Sequence, residues 1–290
     1  MIFLRKFKSK KLYFFLAIFF FMTLKVYGAI LVLVLALAMV FSGCTDTSGE
    51  SQKSTDGVTN AEETTKIIVG VDGEYSPWAY IDTDGNPVGF DVDSIKWIAK
   101  QKGFEVEIIP VLWDSMIPSL QAGKIDMVYS GMTITPERLE QVNFSIPYWK
   151  INQSVAKHND NNYTMDDFMS GEYIIGAQSG TTGAFWVEDN LIENGSMPKD
   201  SLKTYSTFPS AATDLQNKRV DFIIYDKPPM LEAIEGRPLS IIGEIDTNEA
   251  LGAAIRKSDP ELLATINDGL TMLMADPYWE ELKTKYSMVD

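Results

Sequence analysis

From Lys66 to the C-terminus the chain alternates short β-branched runs with amphipathic helical stretches. An order of strand, helix, strand, helix, strand requires parallel strands covered by helices and leaves an α/β architecture. KIIVGVD (66–72) reads as a buried strand that delivers Asp72, Glu74, Tyr75 and Trp78 onto the next loop. GFDVD (89–93) opens a helix that runs to about Lys102 with Ile95, Ile98 and Ala99 on one face. In that helix Asp91 and Asp93 read as helix-start carboxylates. Glu105 to Pro110 is the next strand, and Asp114 or Ser115 can cap a helix carrying Met116, Ile117 and Leu120 inward. Trp113 precedes that helix and can either face a ligand or pack.

The run DMVYSGMTITPER (126–138) then reads as a strand ending in a helix start, with Thr135 at the N-cap and Pro136 at the first helical position. Two readings fit it. One is an ordinary capped helix with a solvated Glu137 and Arg138; the other is an anion site in which the planar guanidinium of Arg138 meets a carboxylate as a fork. After an extended stretch at 143–155 a second α/β series begins, with a helix from Thr164, a strand over 173–178, the turn SGTTG (179–183) and a helix over 184–193. SGTTG lacks the spacing and the lysine of a P-loop, which argues against a nucleotide site. Further strands follow at 203–205 and 221–224, the latter leading into Tyr225-Asp226. Asp226 can cap the helix that starts at Lys227, or meet a cation. A strand at 239–242, an acidic segment, a strand at 251–255 and two helices complete the expected order; Ser258 and Glu261 have capping-box spacing.

Charge and rare residues exclude several classes. Net charge is −15, and six of the 25 basic residues, but none of the 40 acidic ones, lie in residues 1–44. The remainder is too acidic to meet a phosphate backbone, so no nucleic acid is expected. Cys44 and His158 are the only cysteine and histidine, which excludes disulfides, cysteine-rich metal sites and a histidine-dependent triad within one chain. No cofactor or metal is expected.

Residues 1–44 read as a secretory leader, basic and then apolar, ending in Ser42-Gly43-Cys44. Cys44 resembles the lipidated cysteine of a lipobox, with Phe41 where that motif usually has leucine; an uncleaved membrane helix is the alternative. A start at Met22 gives a leader of ordinary length. Residues 45–66 contain no aromatic residue and read as a flexible tether. Both readings hold the globular part at the outer face of a membrane.

DGEYSPW (72–78), GFDVD (89–93), IPSLQAGKIDMVYSGMTITPER (117–138), FSIPYW (144–149), QSGTT (178–182) and VDFIIYD (220–226) occur in that order. Together they resemble the family 3 extracellular solute-binding proteins, the polar amino-acid receptors of ABC importers, over about 66–290. Ser94 and Lys102 depart from apolar positions of that family. The resemblance implies a two-lobed periplasmic-binding-protein-like fold, each lobe a sheet flanked by helices, joined by two crossing hinge segments. Lobe 1 is then 67–150 plus 245–290, and lobe 2 is 151–244. It further implies that Arg138 takes a ligand α-carboxylate, helped by Ser130, Thr133 and Thr182. Asp226 takes the α-ammonium, Tyr75 and Trp113 sandwich the side chain, and Asp72, Gln178 and the Gly131 carbonyl line the rest. The implied partners are a free amino acid (arginine, lysine or glutamine), an ABC permease and, through Cys44 or an N-terminal helix, the membrane, with the protein a monomer. A dehydratase acting on cyclic acids, with Glu74 or Glu188 as general acid, is the enzyme alternative on this fold, and a sensor component is a third reading.

Overall fold

The computed structural model describes residues 65–288. The leader, Cys44 and all of the tether before Thr65 lie outside the described residues. In chain order the first part contains β1 (Lys66–Val71), β2 (Glu74–Tyr75), β3 (Ala79–Ile81), β4 (Pro87–Val88), α1 (Phe90–Lys102), β5 (Glu105–Pro110), α2 (Met116–Gln121), β6 (Met127–Val128), α3 (Pro136–Leu139) and β7 (Asn143–Phe144). The second holds β8 (Trp149–His158), α4 (Met165–Ser170), β9 (Ile175–Gln178), α5 (Thr182–Val187), β10 (Leu202–Tyr205), α6 (Phe208–Gln216), β11 (Phe222–Asp226), α7 (Lys227–Ile234) and β12 (Leu239–Leu251). The chain then returns through β13 (Ala254–Ile255), α8 (Pro260–Ala275) and α9 (Pro277–Lys285).

These strands form two five-stranded sheets, one per lobe, with β2, β3 and β4 as a small side sheet. In the first sheet, ordered β5-β1-β6-β13-β7, β1 lies parallel between β5 and β6, and β13 pairs antiparallel with β6 and β7. In the second, ordered β10-β9-β11-β8-β12, β9 lies parallel between β10 and β11, and β8 is antiparallel to β11 and β12. The chain passes between the sheets twice, from β7 to β8 and from β12 to β13. Parallel strands collect loops at their carboxyl ends. Here β1 and β6 of one sheet and β9 and β11 of the other point four such ends into one cleft.

Apolar periodicity explains how the helices seat. In α1 the residues Phe90, Val92, Ile95, Ile98 and Ala99 are buried, and α8 turns Leu262, Ile266, Leu270 and Leu273 to the same core. Trp78, Phe90, Trp149 and Trp279 form an edge-to-face aromatic cluster, with Phe90 and Trp279 ring centroids 4.9 Å apart.

Several local expectations are corrected. The acidic segment after residue 242 is strand: β12 continues to Leu251, pairing with β8, because exposed Glu244, Asp246 and Asn248 alternate with less exposed residues, of which Ile245 packs on the second core. The cap of α8 is Asp259, whose side chain accepts from the Leu262 N–H at 3.1 Å, not Ser258. A 3-10 turn over Trp113–Ser115 leads into α2, and Ser115 makes no side-chain cap bond. The helix after SGTTG begins at Thr182 and loosens into a π-helical turn over Glu188–Ile192.

Candidate functional site

Lobe 1 builds its half of the cleft from the ends of β1 and β6 and the turn before α3. Thr135 caps α3, its Oγ1 accepting from the Arg138 N–H at 3.3 Å, with Pro136 at the first helical position. That single capped turn aims Arg138 inward, leaving it only 6% exposed. Its guanidinium donates to the carbonyls of Thr133 at 2.8 Å and Gly180 at 3.1 Å and lies 5.4 Å from the Trp113 ring centroid. Burial pulls the Arg138 pKa below its usual value, while the charges of Glu249 and Asp226 push it back up.

Gly131 sits at φ +55°, and a Cβ there would come within 2.4 Å of the Tyr75 ring, so glycine is what lets the aromatic close over the turn. The Gly131 N–H donates to Asp91 at 2.6 Å, and the Ser130 hydroxyl accepts from the Asp72 N–H at 2.9 Å. Asp91 stands in the first turn of α1, as expected of a helix-start carboxylate, but it faces inward. It is fully buried, is pushed up to about 7 by that burial, and also accepts from the Tyr148 hydroxyl at 2.9 Å.

Lobe 2 supplies the ends of β9 and β11. Gln178 is buried; its amide nitrogen donates to Asp72 at 3.1 Å and to the Ser206 carbonyl at 3.2 Å, and its oxygen accepts from the Tyr225 hydroxyl at 2.6 Å. Trp113 reaches across from lobe 1, its indole N–H donating to the Gly180 carbonyl at 2.9 Å. Asp226 stands at the N-cap position of α7 but makes no side-chain cap bond there. Its carboxylate instead accepts from the Tyr75 hydroxyl and the Gln153 amide. Burial, with the neighbouring charge of Glu249, pushes Asp226 up to about 7 against those hydrogen bonds. Burial also raises the Asp72 pKa.

All ten candidate ligand-binding residues thus meet in one cleft: Asp72, Tyr75, Trp113, Ser130, Gly131, Thr133 and Arg138 from the first lobe, and Gln178, Thr182 and Asp226 from the second. Tyr75 and Trp113 stand with ring centroids 6.5 Å apart. Beside Asp72 a cavity of about 440 Å³ opens between Glu74, Trp113, Ser206 and Thr207, room enough for the side chain of a small ligand.

Two residues at the centre of the cleft escape sequence reasoning. Glu249 on β12 is 8% exposed and accepts from the hydroxyls of Thr133 and Thr182, each at 2.7 Å. Gln153 on β8 is fully buried and donates to Glu249 at 2.9 Å as well as to Asp226. Gln153 lies in a stretch read only as extended, and Glu249 in one read only as acidic. The pairing of β8 with β12 was the missing signal.

The cleft can hold an anionic group at Arg138 and a cationic one at Asp226, on opposite lobes, with aromatic rings between. The chain matches the model of the bacterial extracellular solute-binding proteins, family 3, over residues 67–289. It is 30% identical over 264 residues to the L-cystine-binding protein TcyJ of Escherichia coli (strain K12), covering 89% of this chain and 94% of that one. Among solved structures it resembles an ancestral arginine-binding protein bound to arginine, at 34% identity and a TM-score of 0.70, covering 76% of this chain and 97% of that one. An ancestral amino acid-binding protein described as a precursor of cyclohexadienyl dehydratase is 33% identical with a TM-score of 0.68, covering 76% and 94%. The chain belongs to the bacterial extracellular solute-binding proteins, family 3.

Proposed function

We propose that the cleft captures a free amino acid by its two ends, a basic one by preference, and that the protein hands it to the permease of an ABC importer. The observation that carries this reading is the opposition of buried Arg138 on lobe 1 and buried Asp226 on lobe 2. Arg138 takes the α-carboxylate, with Ser130, Thr133 and Thr182 around it; Asp226 takes the α-ammonium. Tyr75 and Trp113 flank the side chain, and Asp72, Gln178 and the Gly131 carbonyl line its path. A ligand bound at both ends favours the closed arrangement over the open one, which is the differential affinity that drives closure.

Asp72, with Glu74 at the neighbouring cavity, supports arginine or lysine over glutamine. The arginine- and cystine-binding proteins named above support an amino-acid ligand in general. On this reading lobe 1 comprises 67–150 with 245–290 and lobe 2 comprises 151–244. The protein works as a monomer, tethered through 45–66 to a lipidated Cys44 at the outer face of the membrane. A thermal-shift screen against the twenty amino acids and cystine tests the ligand class. Stabilisation by at least one basic or polar amino acid is expected; no shift with any of them contradicts the reading.

One solved relative is described as a precursor of a dehydratase, which makes an enzyme the second reading. Incubation with amino acids and cyclic acids is expected to return them unchanged. Turnover that Glu74→Gln abolishes would favour the enzyme.

A further inference from the structure

Three acceptors converge on the amide nitrogen of Gln153: a carboxylate oxygen of Asp226, Oε1 of Glu249 at 2.9 Å and the hydroxyl of Thr182 at 3.2 Å. An amide nitrogen carries only two N–H groups, so one of the three is undersupplied. The other end of the same amide is no better served, since Gln153 Oε1 is buried and has no hydrogen-bond partner among the described residues. Turning the amide over would aim its oxygen at two carboxylates, so the acceptors themselves fix its orientation. Thr182 faces this nitrogen as an acceptor because its own proton goes to Glu249 Oε2 at 2.7 Å, as does that of Thr133 at 2.7 Å.

The strands place this group deliberately. Ile245 pairs with Gln153 and Glu249 with Ile151, so β12 spends four residues where β8 spends two. The excess forms a bulge in which Asn248 adopts φ 45°. With regular pairing Glu249 would stand opposite Trp149, two pairs further from Gln153. The bulge brings its carboxylate up beside the amide and Asp226.

We propose that Glu249, with Asp226 and Thr182, forms the ammonium-binding part of the cleft, and that a ligand's α-ammonium takes the position of the Gln153 amide nitrogen. An ammonium brings three N–H groups to the three acceptors and a positive charge to the two carboxylates, where the amide brings two and none. Gln153 then swings its amide away and relieves its unpartnered oxygen. Glu249 on this account selects for α-amino acids over acids that share the carboxylate and side chain but lack the amine. The inference rests on the proposed amino-acid function and assigns Thr133 and Thr182 to the support of Glu249 instead of the ligand carboxylate.

The test is calorimetry of wild type, Glu249→Gln and Gln153→Ala with a matched pair of ligands: the tightest-binding amino acid of the panel and its deaminated counterpart, which for L-arginine is δ-guanidinovalerate. Glu249→Gln is expected to weaken the amino acid about 10- to 100-fold and to change the deaminated acid by less than about threefold. Retained binding of the deaminated acid also reports that the variant's cleft is folded. Gln153→Ala, which removes the competing amide, is expected to bind the amino acid at least as tightly as wild type. Equal losses for both ligands would overturn the assignment, as would a gain in affinity for both, which would make Glu249 a rival of the ligand carboxylate on Thr133 and Thr182. If Glu249→Gln unfolds, Gln153→Ala decides alone, and a loss of about tenfold or more there overturns it. A wild type that binds no amino acid sinks the proposed function and this inference together, whereas an unaltered Glu249→Gln sinks only the inference.

Discussion

The two ends of the cleft are built by opposite strategies. The Arg138 end is mainly local: one strand, one turn and one capped helical turn over 126–139 aim the side chain, and only then does its guanidinium reach Gly180 and Trp113. The Asp226 end is assembled from afar, with Tyr75, Gln153, Thr182 and Glu249 arriving from five well-separated stretches including that of Asp226 itself. A local anchor survives small shifts of the lobes. A distributed acidic group depends on the lobes being together, which suits the half of a clamp that senses closure.

The sharpest way to break this contrast is to remove each end in turn. Arg138→Ala strands a ligand carboxylate in a buried site and is expected to cost about 3–5 kcal/mol, or roughly two to three and a half decades of affinity; calorimetry reads it directly. Asp226→Asn keeps the shape and the hydrogen bonds to Tyr75 and Gln153 possible while deleting a charge. Its expected cost is about one to two decades, smaller because Glu249 remains beside the ammonium.

Acidity separates the ends further. Asp226 and Asp91 are both pushed up to about 7 by burial, against an ordinary carboxylate value of 3.8. Between those values each keeps its proton in the folded chain where the unfolded chain has lost it. The native state therefore binds more protons, and the contribution of both groups to stability falls as pH rises across that window. Chemical denaturation of ligand-free protein at about pH 5.5 and about pH 7.5 should show this, with a smaller decline in Asp226→Asn. Affinity for an amino acid runs the other way: an ammonium favours the ionised Asp226, so binding strengthens from about pH 5.5 to about pH 8 and releases protons into the buffer. The smallest effect belongs to the local end, where Thr135→Ala should cost about 1 kcal/mol of stability through the lost cap.

The same contrast explains what the sequence revealed. Alternation of β-branched runs and amphipathic helices was enough to read the parallel strands β1, β5 and β6 and the helices α1 and α8, because each depends on neighbours within one turn or one pleat. Thr135, Pro136 and Arg138 were legible for that reason, although TPER alone could not tell a solvated arginine from a buried one. Asp91 was legible as a helix-start carboxylate of α1, but not its burial, because its partners Gly131 and Tyr148 are 40 and 57 residues away. Glu249 was hidden still more deeply, since its aim is set by a bulge between two strands nearly 100 residues apart. Breaks in register leave no periodic trace.

The central claim is that Arg138 reads a ligand carboxylate while Asp226 reads an ammonium, and a pair of ligands differing in one end tests it most directly. Wild type and Arg138→Ala should be titrated with L-arginine and with agmatine, its decarboxylated form. Arg138→Ala is predicted to weaken L-arginine by roughly two to three and a half decades and to leave agmatine within about threefold of wild type. A change for L-arginine under about threefold, or an equal loss for both ligands, would contradict the account.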